Sequence, residues 1–188
     1  MNVLAHYLRF LAGVDPPATQ VTQDELRLLL PHAERARIIV EVGTFEGRTA
    51  AALAERTVGR VFAIDPFPPG RLGVCYGERI ARRHARRRRL RNVQFVTGLG
   101  HVVAAAFEHP VDLLFIDADH SYDAVKRDWQ AWRRHLRAGG IAAFHDCRVA
   151  PNSPSRLGSM EYYERELARE VSLEEIGSVD SLSIFQLR

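Results

Sequence analysis

The sequence has few cysteines and no long apolar run. Its 188 residues include only Cys75 and Cys147, which are too few for a disulfide framework, so we expect free thiols and a reduced, cytoplasmic setting. No apolar stretch reaches the roughly 20 residues that cross a bilayer. The opening MNVLAHYLRF lacks the charged start and clean apolar run of a signal peptide. We therefore expect no membrane partner.

Lysine is almost absent, whereas arginine is abundant. Lys126 is the only lysine, and the formal net charge is +3 at pH 7. The arginines concentrate in one basic cluster, whose members are Arg79, Arg82, Arg83, Arg86, Arg87, Arg88, Arg89 and Arg91. Such a cluster could hold phosphates, but it is also typical of a GC-rich genome and of a solvated helix face. Composition alone therefore does not favour nucleic acid as the partner.

Short apolar runs alternate with segments of helical period. The runs span 38–42, 61–64, 93–96, 111–116 and 141–144. Their length and their β-branched and aromatic residues predict strands that are buried on both faces. Strands separated by helices require right-handed crossovers, which predicts a parallel, doubly wound α/β sheet.

One helix is marked by a clear apolar stripe in the segment 121–138. Val125, Trp129, Trp132 and Leu136 fall at helical spacing in this segment. We expect Ser121 to cap this helix at its start and Gly139-Gly140 to end it.

The two ends of the chain complete a single predicted domain, 1–188. Thr22-Gln-Asp-Glu25 fits a capping box, so 1–37 is predicted to be a helical cap on the sheet. The core spans 38–147. The remaining part, 148–188, is predicted to hold a polar, proline-rich substrate loop at 148–158, a helix and two last strands.

The first two predicted strands end in residues that suit a nucleotide-like ligand. Glu41-Val-Gly43-Thr-Phe-Glu-Gly47-Arg-Thr49 follows the first strand and opens a helix. Gly43 would allow a tight backbone turn against the ligand, and Gly47 would allow close packing of the helix start. Asp65 ends the second strand and can accept both hydroxyls of a ribose. The G-x-x-x-G spacing differs from the dinucleotide pattern, which disfavours a dehydrogenase.

Acidic residues and histidines follow the fourth and fifth predicted strands. The first group is Asp117-Ala-Asp119-His120, and the second is His145-Asp146. Since parallel strands end at the same edge, these side chains should converge beside the Gly43 turn. Carboxylates in such a place are costly unless they are paired or bind a metal, which predicts a hard divalent cation. We interpret Asp119 as a helix-opening residue.

The segments EVGTFEGRTAAAL and VFAIDPF resemble the first two motifs of class I S-adenosylmethionine methyltransferases. The resemblance implies a Rossmann-like, mostly parallel seven-stranded sheet with an antiparallel C-terminal strand. It implies that the methionine end of S-adenosylmethionine is lined by Glu41, Gly43, Thr44 and Thr49, with Gly47 in the same cofactor-binding turn. Asp65 would hold the ribose, Gly98 would lie at the adenine, and Asp117 would complete the cofactor site.

The stretch from Asp112 to Asp146 resembles one branch of that family more closely, the metal-dependent O-methyltransferases of macrolide sugars and mycobacterial polysaccharides. The shared pattern is D-x-D-H-S-Y followed by G-G-I-x-x-x-H-D. By this likeness Asp117 and Asp146 would bind Mg²⁺ or Mn²⁺, and His120 would be the catalytic base. In that branch an acidic residue can precede the second aspartate; here the position holds His145, which we predict as a further metal ligand. The implied acceptor is a hydroxyl of a small molecule, a saccharide in the first place.

Several alternatives stay open at this stage. One alternative is a catechol or phenol O-methyltransferase, since the catechol enzymes have a similar arrangement of metal ligands. An RNA methyltransferase could use the basic helix Arg79–Arg91, although no motif for a flipped base follows the fourth strand. A non-enzymatic subunit that retains the cofactor fold is disfavoured by the intact Asp117, His120 and Asp146. Exposed N-terminal helices are compatible with a homodimer.

Overall fold

The computed structural model describes residues 3–70, 73–149 and 156–188, in which seven strands form one sheet. The strands are β1 (Ile38–Val42), β2 (Arg60–Asp65), β3 (Val93–Thr97), β4 (Val111–Ile116), β5 (Leu136–Phe144), β6 (Leu173–Val179) and β7 (Leu182–Leu187). Their spatial order is β3-β2-β1-β4-β5-β7-β6. Strands β1 to β5 pair in parallel, and β7 pairs antiparallel with both β5 and β6. The predicted fold class is therefore confirmed.

Helices cover both faces of this sheet. They are α1 (Val3–Leu11), α2 (Gln23–Arg35), α3 (Arg48–Arg56), α4 (Tyr76–Arg87), α5 (Gly100–Ala105), α6 (Tyr122–Trp132) and α7 (Gly158–Arg165). One buried cluster includes Trp129, Trp132 and Phe144, and a second includes Leu29 and Phe115. Burial on both faces is the reason that the central strands are continuously apolar.

The N-terminal cap begins α2 as the sequence predicts. The Thr22 hydroxyl accepts a hydrogen bond from the backbone N–H of Glu25 (3.1 Å), and the Glu25 carboxylate accepts one from the backbone N–H of Thr22 (2.7 Å). This reciprocal pair satisfies two N–H groups that a helix start otherwise leaves without partners. The capping box at Thr22–Glu25 is confirmed.

The predicted end of the helix after β4 is wrong. Helix α6 ends at Trp132, a 3₁₀ turn spans Arg133–His135, and Leu136 already belongs to β5, where it pairs with Val111. An apolar residue four positions after Trp132 fits a helix face and a buried strand equally well, and here pairing with β4 decides. Gly139-Gly140 accordingly lies within β5.

The predicted cap of α6 is right in position but lacks the expected hydrogen bond. Ser121 stands at the cap position, but its side chain makes no capping hydrogen bond. Instead, Asp119 Oδ1 accepts a hydrogen bond from the backbone N–H of Ser121 at 2.8 Å. Asp119 therefore orders the start of this helix.

The predicted substrate loop lies partly outside the described residues. Positions 150–155 of the 148–158 loop, and positions 71–72 of the loop after β2, are not among them. In the described part of the chain, none of the helices has the length and apolar character needed to cross a membrane.

Candidate functional site

The predicted site residues at the ends of β1, β2, β4 and β5 lie side by side, because these four strands end in register. Val42 pairs with Ile64 and with Ile116, and Ile116 pairs with Phe144. The ladder continues one residue further, since the N–H of Gly43 donates to the Ile64 carbonyl, and that of Asp117 donates to the Val42 carbonyl. The carboxyl edge of the parallel strands is where ligands bind in this type of sheet.

The turn after β1 requires glycine at position 43. Gly43 has φ +94°, and a Cβ placed on it would lie 2.0 Å from the backbone oxygen of Asp117. No side chain fits there, so the glycine lets β1 and β4 approach at the edge. Gly47 has φ +73°, and a Cβ there would lie 2.8 Å from Ala81 Cβ of α4. Gly47 therefore serves helix packing.

Asp65 holds the same turn from the end of β2. Its Oδ2 accepts hydrogen bonds from the N–H groups of Thr44 (3.1 Å) and Phe45 (2.8 Å), and its Oδ1 accepts one from Phe67 (2.7 Å). Phe45 has φ +52°, a conformation that a side chain adopts only where neighbours enforce it. Asp65 thus shapes the turn as well as facing the cavity beside it.

A cavity of about 480 Å³ lies against this turn. The predicted cofactor residues that line it are Glu41, Gly43, Thr44, Thr49, Asp65, Gly98 and Asp117; Gly47 is not among the lining residues. Glu41 is only 1% exposed, and its Oε2 accepts a hydrogen bond from Thr44 Oγ1 at 2.8 Å. Burial raises the pKa of Glu41 well above its usual range, and the charges of Asp117 and Asp65 raise it further.

Asp117, His120 and Asp146 form a second feature at this edge, here named the Asp-His cluster. One ligand atom from each lies within 4.8 Å of the others. His120 Nε2 lies 3.5 Å from Asp146 Oδ2, and the His120 side chain is 30% exposed. Asp146 has φ +51°, so a strained backbone turns its carboxylate toward its neighbours. Two carboxylates and an imidazole at such spacing can share one divalent cation.

His145 lies beneath the Asp-His cluster and contacts carboxylates on both sides. Its side chain is 2% exposed; Nδ1 lies 2.9 Å from Asp117 Oδ1 and 3.5 Å from Asp146 Oδ2, and Nε2 lies 3.1 Å from Glu25 Oε2. Burial lowers the pKa of His145, but contacts with the three carboxylates outweigh burial and raise the pKa to about 12. His145 is thus placed to hold the site together from below.

Glu25 is a site residue that sequence reasoning missed. It comes from α2, and its Oε1 accepts hydrogen bonds from the N–H (3.0 Å) and the hydroxyl (2.7 Å) of Ser181 in the β6–β7 turn. Burial raises the pKa of Glu25, whereas hydrogen bonds from His145, Thr22 and Ser181 lower it to about 2. The capping box was the only signal at this position, and it gave no hint of a contact with the site.

Asp128 of α6 is a second residue that the sequence did not reveal. It lines the cavity near Gly98 and Gly100, and its side chain is 8% exposed. Oδ1 has no hydrogen-bond partner among the described residues and lies 3.6 Å from His101 Nδ1. Burial raises the pKa of Asp128, which contacts with His101 oppose. A buried acceptor without a partner indicates a donor supplied by a ligand or water.

Part of the arginine cluster is engaged within the protein. Arg82 pairs with Glu78 of the same helix (2.9 Å), and Arg88 pairs with Glu55 of α3 (2.6 Å). Arg87 donates to the backbone carbonyls at positions 10 and 11, at the end of α1. The contacts of Arg87 and Arg88 help to pack the end of α4 on α1 and α3.

Comparisons with known proteins agree on the type of fold. A model of the methyltransferase domain family matches residues 40–147. An O-methyltransferase from Bacillus cereus in complex with SAH has a TM-score of 0.71 at 22% identity and covers 100% of this chain and 91% of that chain. TomG, the O-methyltransferase from Streptomyces achromogenes in complex with SAM, has a TM-score of 0.69 at 18% identity, with coverages of 100% and 90%. At these identities the likeness shows a shared fold.

A curated relative is the uncharacterized protein y4gI from Sinorhizobium fredii. It is 29% identical over 171 residues, which make up 85% of this chain and 18% of that protein. The chain thus spans less than a fifth of the length of this relative. The family model matches more than half of the chain and contains both the Gly43 turn and the Asp-His cluster. The chain therefore belongs to the methyltransferase domain family.

Proposed function

We propose that the enzyme transfers a methyl group from S-adenosylmethionine to a hydroxyl oxygen of a small molecule, in the first place a saccharide, with Mg²⁺ or Mn²⁺ at the Asp-His cluster. The methyl group comes from the sulfonium of the cofactor. The observation that carries the proposal is the double position of Asp117, which lines the cofactor cavity and belongs to the Asp-His cluster. Donor and acceptor groups would therefore meet beside one carboxylate.

The charge of the cavity supports a cationic ligand. Glu41, Asp65 and Asp117 all line it, and a cationic group beside Glu41 would offset the burial that raises the pKa of its carboxyl. The ammonium and sulfonium groups of S-adenosylmethionine would supply that charge. Thr49, near the start of α3, would receive the methionine carboxylate, since exposed helix N–H groups favour an anion.

The two ends of the nucleoside have separate acceptors. Asp65 would accept hydrogen bonds from the ribose hydroxyls, because its position at the end of β2 is the usual one for that role. Asp128 would accept a hydrogen bond from the 6-amino group of adenine, which would give its buried carboxylate the donor that the described residues lack.

The donor set of the Asp-His cluster fits a divalent cation. Carboxylate oxygens are the ligands that Mg²⁺ and Mn²⁺ prefer, and such ions keep water positions open for a substrate. Asp117 and Asp146 would hold the cation, which when bound would polarise an acceptor hydroxyl and lower its pKa. The carboxylates would also fix the orientation of the acceptor relative to the cofactor cavity.

His120 is the residue of the cluster that can act as the base. Its side chain is 30% exposed and faces Asp146, so an acceptor hydroxyl can reach it. The backbone carbonyl of His120 accepts a hydrogen bond from the Ser159 N–H at 2.8 Å, which fixes it against the start of α7. His120 would accept the hydroxyl proton as the oxygen attacks the methyl group.

A methyl-transfer assay tests the proposal and its rivals together. Purified enzyme is incubated with labelled S-adenosylmethionine and Mg²⁺ or Mn²⁺, and with a monosaccharide set, catechol or an RNA pool as acceptor. We expect S-adenosylhomocysteine to form with a hydroxyl acceptor, EDTA to abolish the reaction and added Mn²⁺ to restore it. Full activity in EDTA would remove the cation from the proposal, and transfer to RNA alone would favour the basic helix as the acceptor site. A cytoplasmic setting and a homodimer stay predictions.

A further inference from the structure

We propose that Glu46 is a positioning residue of the cofactor site. It holds the segment 15–21, here named the strap, across the cofactor cavity, and so slows the release of S-adenosylmethionine and of its product S-adenosylhomocysteine. The inference rests on the proposed binding of S-adenosylmethionine in that cavity. It gives a role to the N-terminal cap and to a carboxylate of the glycine turn that does not itself line the cavity.

The strap contributes one wall of the cofactor cavity. Ala18, Thr19 and Gln20 line this cavity together with the glycine turn. Pro16 and Pro17 come directly before them. A proline fixes its own φ and keeps the residue before it extended, so this half of the strap has few conformations. A cofactor in the cavity would therefore lie against a stiff segment of backbone.

Glu46 holds the strap through a backbone hydrogen bond. Its side chain is buried, and its Oε2 accepts hydrogen bonds from the Ala18 N–H (2.5 Å) and from His6 Nε2 of α1 (3.0 Å). A buried carboxylate is costly without such donors, so Glu46 and the strap stabilise each other. One carboxylate thus joins the glycine turn, the strap and α1.

His6 is also held from the other side of its ring. Its Nδ1 lies 3.2 Å from Asp15 Oδ2, and Arg9 donates hydrogen bonds to both oxygens of Asp15. The hydrogen bond to Glu46 raises the pKa of His6, burial opposes this, and Asp15 adds to it. The start of the strap and the glycine turn therefore meet at one imidazole ring.

The other end of the strap is fixed beyond the Asp-His cluster. Thr22 Oγ1 donates to Asp180 Oδ2 at 2.8 Å, and Val21 is buried in the core cluster that includes Leu29 of α2. Glu46 follows β1, whereas Asp180 precedes β7, and β4 and β5 lie between these two strands. The strap therefore crosses the ends of β4 and β5, which carry the Asp-His cluster.

The strap has little slack between its two anchors. β1 and β7 are three places apart in the sheet, which is about 14 Å at a strand spacing of about 4.8 Å. The four steps from Ala18 to Thr22 reach at most about 14 Å when extended. Loss of the anchor at Ala18 should therefore release the strap from the cavity.

The test measures the rate at which labelled S-adenosylhomocysteine is displaced by unlabelled compound. In Glu46→Ala we expect release to be about 10–100-fold faster, the factor that a hydrogen bond to a charged group is worth. Glu46→Gln keeps an acceptor for the Ala18 N–H, so its rate should lie between those of the wild type and Glu46→Ala. A release rate in Glu46→Ala equal to that of the wild type would overturn the proposal.

Arg87→Gln is the matched control for a general loosening of α1. Arg87 donates from α4 to the carbonyls of Phe10 and Leu11 at the end of α1, and it makes no printed contact with Glu46 or the strap. We expect this variant to release S-adenosylhomocysteine at the wild-type rate. An acceleration as large as that of Glu46→Ala would show that docking of α1, and not the carboxylate, retains the cofactor.

Hydrogen exchange keeps the proposal testable if Glu46→Ala folds poorly. In the wild type, we expect the amides at positions 18–21 to exchange more slowly with S-adenosylhomocysteine bound than without it, and Glu46→Gln should reduce this protection. Exchange that does not change on binding would overturn the proposal. A wild type that binds no S-adenosylhomocysteine would end the cofactor assignment itself, whereas normal binding that is independent of Glu46 would end only the role of the strap.

Discussion

The site has two regions that differ in how far apart in sequence their contacting residues are. The glycine-turn region, positions 41–49 with Asp65, is held by contacts between near neighbours: Thr44 bonds Glu41 three positions away, and Asp65 bonds Thr44 21 positions away. In the region of the Asp-His cluster, His145 meets Glu25 over 120 positions, and Glu25 meets Ser181 over 156. Hydrogen bonds within the first region therefore join residues close in sequence, although β4 and α4 pack against its two glycines, whereas the second region exists only when both ends of the chain pack together.

This difference predicts which part of the site a substitution in each region will affect. A change in the glycine turn should disturb cofactor binding first, because its contacts are local. A change at Glu25 or Ser181 should reach the Asp-His cluster from a distance while leaving the cofactor cavity intact. The predictions below are ordered from the largest expected effect to the smallest.

Asp117→Asn should have the largest effect, because Asp117 lines the cavity beside the glycine turn and also belongs to the Asp-His cluster. The change keeps the size of the side chain and removes its charge. We expect kcat to fall at least about 1,000-fold, since a bound cation contributes several kcal/mol to transition-state stabilisation. Steady-state methyl transfer measures this. Asp123→Asn, an exposed carboxylate on α6, is the control and should keep its rate; similar rates in both variants would contradict the assignment of Asp117.

Gly43→Ala tests whether the glycine turn is as local as its contacts indicate. The added Cβ would meet the Asp117 backbone at 2.0 Å, in addition to the strain of φ +94°. We expect the free energy of unfolding to drop by about 2–5 kcal/mol and S-adenosylhomocysteine binding to be lost, as measured by denaturation and calorimetry.

The control for this variant is Gly13→Ala. Gly13 has φ +78°, and a Cβ added to it would meet no described atom within 4 Å, so only backbone strain applies. That strain is worth about 1–2 kcal/mol. If both variants lose the same stability and both bind cofactor, the close approach of β1 and β4 is not what requires glycine at position 43.

Asp128→Asn tests whether a residue of α6, far in sequence from the glycine turn, also contributes to cofactor binding. We expect the wild type to bind S-adenosylhomocysteine about 10–100-fold more tightly than its 6-oxo analogue S-inosylhomocysteine, because a hydrogen bond to a carboxylate is worth about 1.5–3 kcal/mol. Asp128→Asn should narrow this ratio, and Asp123→Asn should not. An unchanged ratio in Asp128→Asn would mean that adenine is recognised elsewhere.

His6→Gln should have the smallest effect, on pH dependence. A hydrogen bond to Glu46 in the glycine turn raises the pKa of His6 above 6.5; burial opposes this, and Asp15 adds to it. A raised pKa in the folded state contributes stability that is fully present below pH 6.5 and is lost as pH rises through the folded pKa. We expect the wild-type Tm to fall from pH 6 to pH 9 more steeply than that of His6→Gln. Parallel curves of Tm against pH would show that the His6–Glu46 pair contributes nothing to the pH dependence of stability.

Much of the fold could be predicted because its signals are local. The apolar runs located the central strands, and the residues from Thr22 to Glu25 located the start of α2. Leu136 shows the limit of that approach: its spacing from Trp132 suits a helix, but pairing with Val111 places it in a strand. Ser121 stands at the cap position of α6, but no capping bond of its side chain forms, which the sequence could not foresee.

The candidate site was predictable only as far as strand ends determine it. Asp65, Asp117 and Asp146 could be placed at one edge because parallel strands end together. Glu25 and Asp128 could not, since each looks like an ordinary helix residue in sequence. The partners of both depend on how α2 and α6 pack on the sheet.

By itself, the sequence determined the alternation of strands and helices and the glycine turn, because backbone conformation and apolar periodicity are decided within a few residues. Only the tertiary structure decided that Glu25 backs His145 and that Asp128 enters the cofactor cavity. The physical reason is that a buried carboxylate is stable only with donors around it, and the sequence does not say which donors, 120 or 156 positions away, packing will supply.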